Sequence, residues 1–448
     1  MEQTIKGGVV VGADGQSMAD VAIRDGLIVA VGPNLAGVGE VIDAEGLLVM
    51  PGMVDTHVHL MDPGPTERED FPTGTRAAAA RGVTTIIEHT HAHPIRSASD
   101  LHDKVAYLKG RSNVDFALAA HTWPDRIDEL GSIWEAGVAF FKMFTCTTHG
   151  VPALDGAHLL AALAAVAVVG GRCLIHCEDE SITAEAERLL KDAGRDDPAI
   201  LYEWRSREAE LVAVAAASVL AEATGAKATF AHVSNPGVLA VIEAAQNRGA
   251  DIAAEACPQY MTLHESEVLE YGALRKFTPP ARIRNDGEQH AMWDQVRQGG
   301  YSHFSTDHAP STLAQKSAGG IWEAPFGLPG IDTTLAFLID AAARGEIAMS
   351  DVVRLYSTAP ADRYGLAPRK GRLAPGSDAD VVLVDPAGSW TVADADVISK
   401  AGWSPYSGRT FRGRVVATYL GGVEVGRDGI GQDERRGSFL NPRRIDDR

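Results

Sequence analysis

The sequence predicts an α/β fold: a (β/α)8 TIM-type barrel carrying a small β-sandwich built from both termini. Three observations predict it. Short β-branched runs alternate with longer Ala-rich stretches of helical period, and eight such runs fall between residues 47 and 306. Both ends instead carry short alternating strands separated by Gly-containing turns. An open, doubly wound sheet uses the same alternation, but eight strands favour closure into a barrel.

Residues 1–50 form the first part of the sandwich. Strands are expected at 8–11, 21–24 and 27–31, with Asp-Gly turns at 14–15 and 25–26. Residues 51–365 form the barrel, whose first strand enters from the sandwich. Its strands are expected at 47–54, 83–89, 114–120, 138–144, 172–177, 228–233, 251–255 and 302–306. Helical periodicity marks 73–81, 159–169, 208–223, 237–247 and 287–298. Residues 366–430 complete the sandwich with strands at 379–384, 415–419 and 423–425. The last segment, 431–448, holds five arginines and an Asn-Pro. It is expected to be an extended arm outside the core, able to reach a neighbouring subunit.

A net charge of -19, from 41 Lys+Arg against 60 Asp+Glu, speaks against nucleic-acid binding, which needs a basic face. Four cysteines imply no disulfide framework. The first residues do not read as a signal peptide, and the longest nearly apolar run, 158–169, is too short to span a bilayer. The expectation is a cytoplasmic enzyme for small molecules.

The chemistry lies at the strand ends. His57 and His59 sit two apart on the first strand, so both imidazoles face one way. Lys142 is a lone charge inside Phe140-Phe141-Lys142-Met143-Phe144. His176, His232 and Asp307 close strands five, six and eight. Unpartnered, each would be costly to bury, and all belong at the catalytic mouth of a barrel. Together they predict a metal site, with Zn2+ first and Fe2+, Mn2+ or Ni2+ compatible. An ammonium has no lone pair for a metal, so Lys142 is either carboxylated by CO2 or paired with Asp307 or Glu178.

With these residues in place the chain resembles the cyclic amidohydrolase branch of the amidohydrolase superfamily: dihydroorotases, allantoinases, hydantoinases and dihydropyrimidinases. The resemblance rests on Met50-Pro51-Gly52-Met53-Val54-Asp55, Asp62-Pro63-Gly64, Thr73-Gly74-Thr75, His232-Val233-Ser234 and Cys257-Pro258-Gln259-Tyr260. Pro279-Pro280-Ala281-Arg282, Asp307-His308-Ala309-Pro310 and Gly376-Ser377-Asp378-Ala379-Asp380 extend it across nearly the whole chain. It implies two divalent metals bridged by N6-carboxylated Lys142. His57, His59 and Asp307 would complete the buried site, His176 and His232 the exposed one. A bridging hydroxide would open the ring amide, with Asp307 passing the proton to the leaving nitrogen. It also implies a homo-oligomer, tetramer or dimer.

Substrate choice follows from departures. Dihydroorotases place Arg and Asn where this chain has Met61 and His91, and dihydropyrimidinases place Tyr where it has Thr147. Pro65-Thr66-Glu67-Arg68 and Phe71-Pro72-Thr73-Gly74-Thr75 look more like allantoinases. An allantoinase- or hydantoinase-like activity is therefore expected, with a dihydroorotase-like, lactone or other amide hydrolase as the alternative. Non-enzymatic relatives of dihydropyrimidinase lack such ligands. His91, Thr147, Tyr260 and Arg282 are expected at the substrate. The run His89-Thr90-His91-Ala92-His93 departs from all these subfamilies.

Overall fold

A computed structural model describes residues 2–444. Leu48–Pro51 and Met53–Val58 are separate strands, where the sequence predicted one over 47–54. The break is Gly52. A Cβ there would meet Thr84 Oγ1 at 2.0 Å, so the chain can leave one sheet for the other here only without a side chain.

The barrel strands are Met53–Val58, Val83–Glu88, a third in two pieces (Asp115–Leu118 and Ala120–His121), Phe141–Phe144, Arg172–His176, Lys227–Phe230, Ile252–Ala256 and His303–Phe304. The ladders between them are parallel. Val58 bridges His308 in parallel, and His59 N–H donates to the His308 carbonyl at 2.8 Å, closing the eighth strand's end on the first. The strands are buried almost throughout, as parallel strands covered on both faces must be.

Helices begin where polar caps follow the strands. Asp179 caps Glu180–Asp192 and Asn235 caps Pro236–Gln246, each three residues beyond a barrel histidine. These short connections leave His176 and His232 at the mouth. Asp70, Ser206 and Asn285 cap Phe71–Ala80, Arg207–Thr224 and Asp286–Gln298 in the same way.

Both termini build the sandwich. One sheet runs Ile430–Gly431, Val423–Arg427, Thr410–Leu420, Val381–Thr391, Leu48–Pro51, Val9–Gly12, Gly15–Met18; the other holds Leu27–Gly32, Asp20–Arg24, Glu2–Lys6 and Glu40–Asp43. Ile5, Val21, Ile23, Val49, Val381 and Leu383 pack between them. Lys370 joins this unit to the barrel through Asp115 at 2.5 Å, Asp380 at 2.8 Å and Asp378 at 2.9 Å. Among the described residues no helix is long and apolar enough to cross a membrane.

The arm is extended as far as Leu440, turns into a short 3-10 helix at Pro442–Arg444 and, against expectation, is not excluded from the core. Phe439 bridges Phe116 in parallel, Phe116 N–H donates to the Ser438 carbonyl, and Leu440 N–H donates to the Phe116 carbonyl. Leu440 is buried among Ala119, Phe140 and Leu366. The segment therefore satisfies backbone groups of its own third barrel strand. Apolar side chains at 439 and 440 outweigh the arginines that made the tail look solvated. Residues 445–448 lie outside the described residues.

Candidate active site

All six residues singled out at the strand ends line one cavity, together with Met61, Arg68, His91, Phe144, His149, Thr278 and Phe326. The groups converge closely. Asp307 Oδ1 lies 3.1 Å from His57 Nε2 and 3.4 Å from His59 Nε2. Lys142 Nζ is 3.4 Å from His57 Nε2, and His176 Nδ1 faces His232 Nε2 at 2.9 Å.

Neighbours orient these rings. His57 Nδ1 lies 2.7 Å from Glu255, and His59 Nδ1 is 2.8 Å from the His89 carbonyl, so each ring turns Nε2 inward. His176 Nε2 is held at 2.8 Å by Glu178, which leaves Nδ1 for the cavity. The backbone is strained at the mouth: Met61, His149, His232 and Asp307 are four of eight described non-glycine residues with positive φ. Such conformations cost about 1–3 kcal/mol each and persist where surroundings enforce them.

Electrostatics favour a metal-ligating set. Burial lowers His57 and His176 and drives His232 well below the ordinary imidazole value, leaving neutral rings at neutral pH. Burial alone would raise the Asp307 carboxyl. The imidazoles of His57, His59 and His232 override it and hold the group well below the usual range. Burial brings Lys142 down to about 8, against an upward pull from Glu255 and Asp307. Of the two readings left open for Lys142, the ion pair with Asp307 or Glu178 is not formed: no carboxylate lies within salt-bridge distance of Nζ among the described residues. Three groups among the described residues have donors close enough to hold a cation: His57, His59 and His89; His57, His232 and Asp307; Cys146, His176 and Glu178.

The expected substrate residues divide. His91 lines the cavity, with Nδ1 2.9 Å from His121 Nε2 and its ring stacked on His149 at 4.7 Å. Three others are not brought there. Thr147 is exposed, its N–H on Glu180. Tyr260 is buried with its hydroxyl donated to the Pro279 carbonyl. Arg282 lies behind the wall, donating to the Arg205 carbonyl at 2.6 Å. Sequence reasoning passed over Glu255, although a lone carboxylate in Ile252–Ala256 is the same signal that exposed Lys142. Arg68, Thr278 and Phe326 come from loops, where no periodicity reports direction.

An eight-stranded barrel with four imidazoles, a lysine and an aspartate at its mouth, flanked by a two-ended sandwich, defines a hydrolase that opens carbon–nitrogen bonds in cyclic amides. The profile of the Amidohydrolase family matches residues 48–425, and the chain belongs to that family. An allantoinase of Rubrobacter xylanophilus is 37% identical over 447 residues, covering 98% of this chain and 97% of the relative. An allantoinase of Escherichia coli K12 is 33% identical, covering 93% of each. Among solved structures, L-hydantoinase (dihydropyrimidinase) from Arthrobacter aurescens superposes with a TM-score of 0.92 at 29% identity, covering 98% of this chain and 99% of that one.

Proposed function

We propose that this enzyme opens the hydantoin ring of allantoin, a five-membered cyclic ureide, at a binuclear centre of two divalent cations, Zn2+ first. The observation that carries the reading is the convergence of His57, His59, Lys142, His176, His232 and Asp307 on one cavity. The allantoinase relatives, similar along nearly the whole chain, support the substrate.

In this reading Lys142 is carboxylated on Nζ. Its amine is lowered to about 8 by burial, so far more of it is neutral at pH 7 than in a free lysine, and only the neutral amine attacks CO2. The carbamate would give two oxygens to the pair of cations. His57, His59 and Asp307 would hold one cation, His176 and His232 the other. Bound there, the cations would supply Lewis acidity and lower the pKa of water. The remaining steps belong to the chain. Asp307 Oδ1 takes the proton of the attacking water and delivers it to the ring nitrogen as the C–N bond breaks. Glu255 keeps the His57 ring turned by accepting from Nδ1. His91, half-buried at the mouth, orients the substrate.

We divide the chain into sandwich (1–50 and 366–430), barrel (51–365) and a C-terminal arm (431–448). Four buried, free cysteines suit a reducing cytoplasm. A homo-oligomer, dimer or tetramer, is supported by exposed apolar residues on two adjacent helices: Leu160 and Val168 on Gly156–Val168, Leu211, Val212 and Val219 on Arg207–Thr224.

The test combines metal content with a hydrolysis screen over allantoin, 5-substituted hydantoins, dihydrouracil, dihydroorotate and lactones. Two metals per chain and turnover of allantoin are expected. Lys142→Ala is expected to lose both. No turnover of any ring amide, or full metal and activity in Lys142→Ala, would reject the proposal.

A further inference from the structure

We propose that His89 is a third imidazole ligand of the buried cation, beside His57 and His59; this rests on the metal-centre reading above. His89 directly follows the second barrel strand, and its N–H donates to the Val58 carbonyl at 3.1 Å. That bond fixes it to the first strand at the residue between the two histidines. Its ring lies 4.7 Å from the His57 ring and 4.4 Å from the His59 ring, centre to centre. One ring nitrogen from each of the three lies within 4.8 Å of the others.

The second observation is independent of spacing. His89 is 1% exposed, and among the described residues neither ring nitrogen has a hydrogen-bond partner. The ring meets Phe140 edge-on at 5.4 Å, a contact an apolar side chain could also make, whereas two desolvated nitrogens without a protein partner cost energy that a bound cation would recover. His57 and His59 each have Nδ1 committed, to Glu255 and to the His89 carbonyl, and aim Nε2 inward. His89 has no such orienting contact among the described residues, so neither of its nitrogens is committed elsewhere. Backbone and ring would then both serve the centre, the carbonyl fixing His59 and the imidazole binding the metal.

A third nitrogen donor suits a borderline transition cation such as Zn2+ and disfavours the hard, oxygen-seeking Mg2+ and Ca2+. The experiment is a crystal structure of the full chain loaded with Zn2+ alone, with anomalous scattering recorded at the zinc edge. A His89 ring nitrogen about 2.0–2.1 Å from the ion held by His57 and His59 is the expected result. If two ions bind and His89 stays beyond bonding distance, the inference is wrong while the metal-centre reading stands. If no ion binds at His57 and His59, both fail. In solution, His89→Gln is expected to give up one of its two zinc ions to a chelator at about 10–100-fold lower chelator concentration than the wild type. Equal retention of both ions overturns the inference, and the crystal measurement needs no variant.

Discussion

At the residue scale the site depends on groups that only cost energy when considered singly. Glu178 is fully buried, and burial alone would raise its carboxyl. The Arg205 guanidinium at 3.1 Å, with His176 and Thr278, reverses that and holds it far below its ordinary value. Such a depressed carboxylate adds stability above the unfolded pKa, and the contribution is lost as pH falls through the folded value. Replacing Arg205 with Met leaves the charge buried and unpaired, and is expected to cost about 3–5 kcal/mol at pH 7. In the variant burial dominates, so the Glu178 carboxyl is raised and its penalty appears as pH rises. Unfolding measured at pH 7 and at pH 4 should therefore show a gap between wild type and variant that narrows in acid. An equal gap at both would remove the charge argument. Lone charges in apolar strands were readable in the sequence because nothing else explains them. Arg205 was not, because it falls in the short connection between Ile200–Trp204 and Arg207–Thr224, where no periodicity reports direction.

At the element scale, eight strands and five marked helices were readable to within a few residues, since burial on both faces and helical period leave strong patterns. The helices Ala98–Leu108, Glu180–Asp192 and Thr334–Ala343 went unmarked, and two further features were not readable. The break at Gly52 depends on Thr84, a contact between segments that periodicity cannot register. The docking of 437–440 depends on a third barrel strand interrupted at Ala119, whose neighbour Phe116 finds backbone partners in the arm. A Cβ on Gly437 would meet the Val114 carbonyl at 1.8 Å, so the arm can approach only there as glycine. Leu440→Ala is expected to destabilise the fold by about 2–5 kcal/mol through lost burial and a residual cavity. Gly437→Val should expose the amides of residues 114–118 to hydrogen exchange while the sandwich strands keep their protection. Unchanged exchange there would show the arm to be a passive tail.

At the scale of the whole molecule, composition separated a metabolite enzyme from a nucleic-acid binder but carried nothing about assembly. Assembly depends on which apolar residues stay outside the core, and helical period alone does not say which face of Gly156–Val168 turns outward. In the fold, Leu159, Leu163 and Val166 enter the barrel core, while Leu160 is 42% and Val168 87% exposed. On the neighbouring helix Arg207–Thr224, Val219 is 58% exposed. Exposed apolar residues on two helices in contact fit the homo-oligomer proposed above. The described part of the arm is docked on its own barrel, so the proposed contact lies on these helices. Replacing Val168 with Glu and Val219 with Lys should thus reduce the mass in solution to a single chain, because each buries a charge in any self-association through these helices. Neither side chain touches the cavity, so metal content should hold at two per chain. Deleting 431–448 should lower thermal stability and leave the mass per particle unchanged. An assembly that survives the paired substitution and dissociates on loss of the arm would reverse this assignment and return the intersubunit role to the C-terminus.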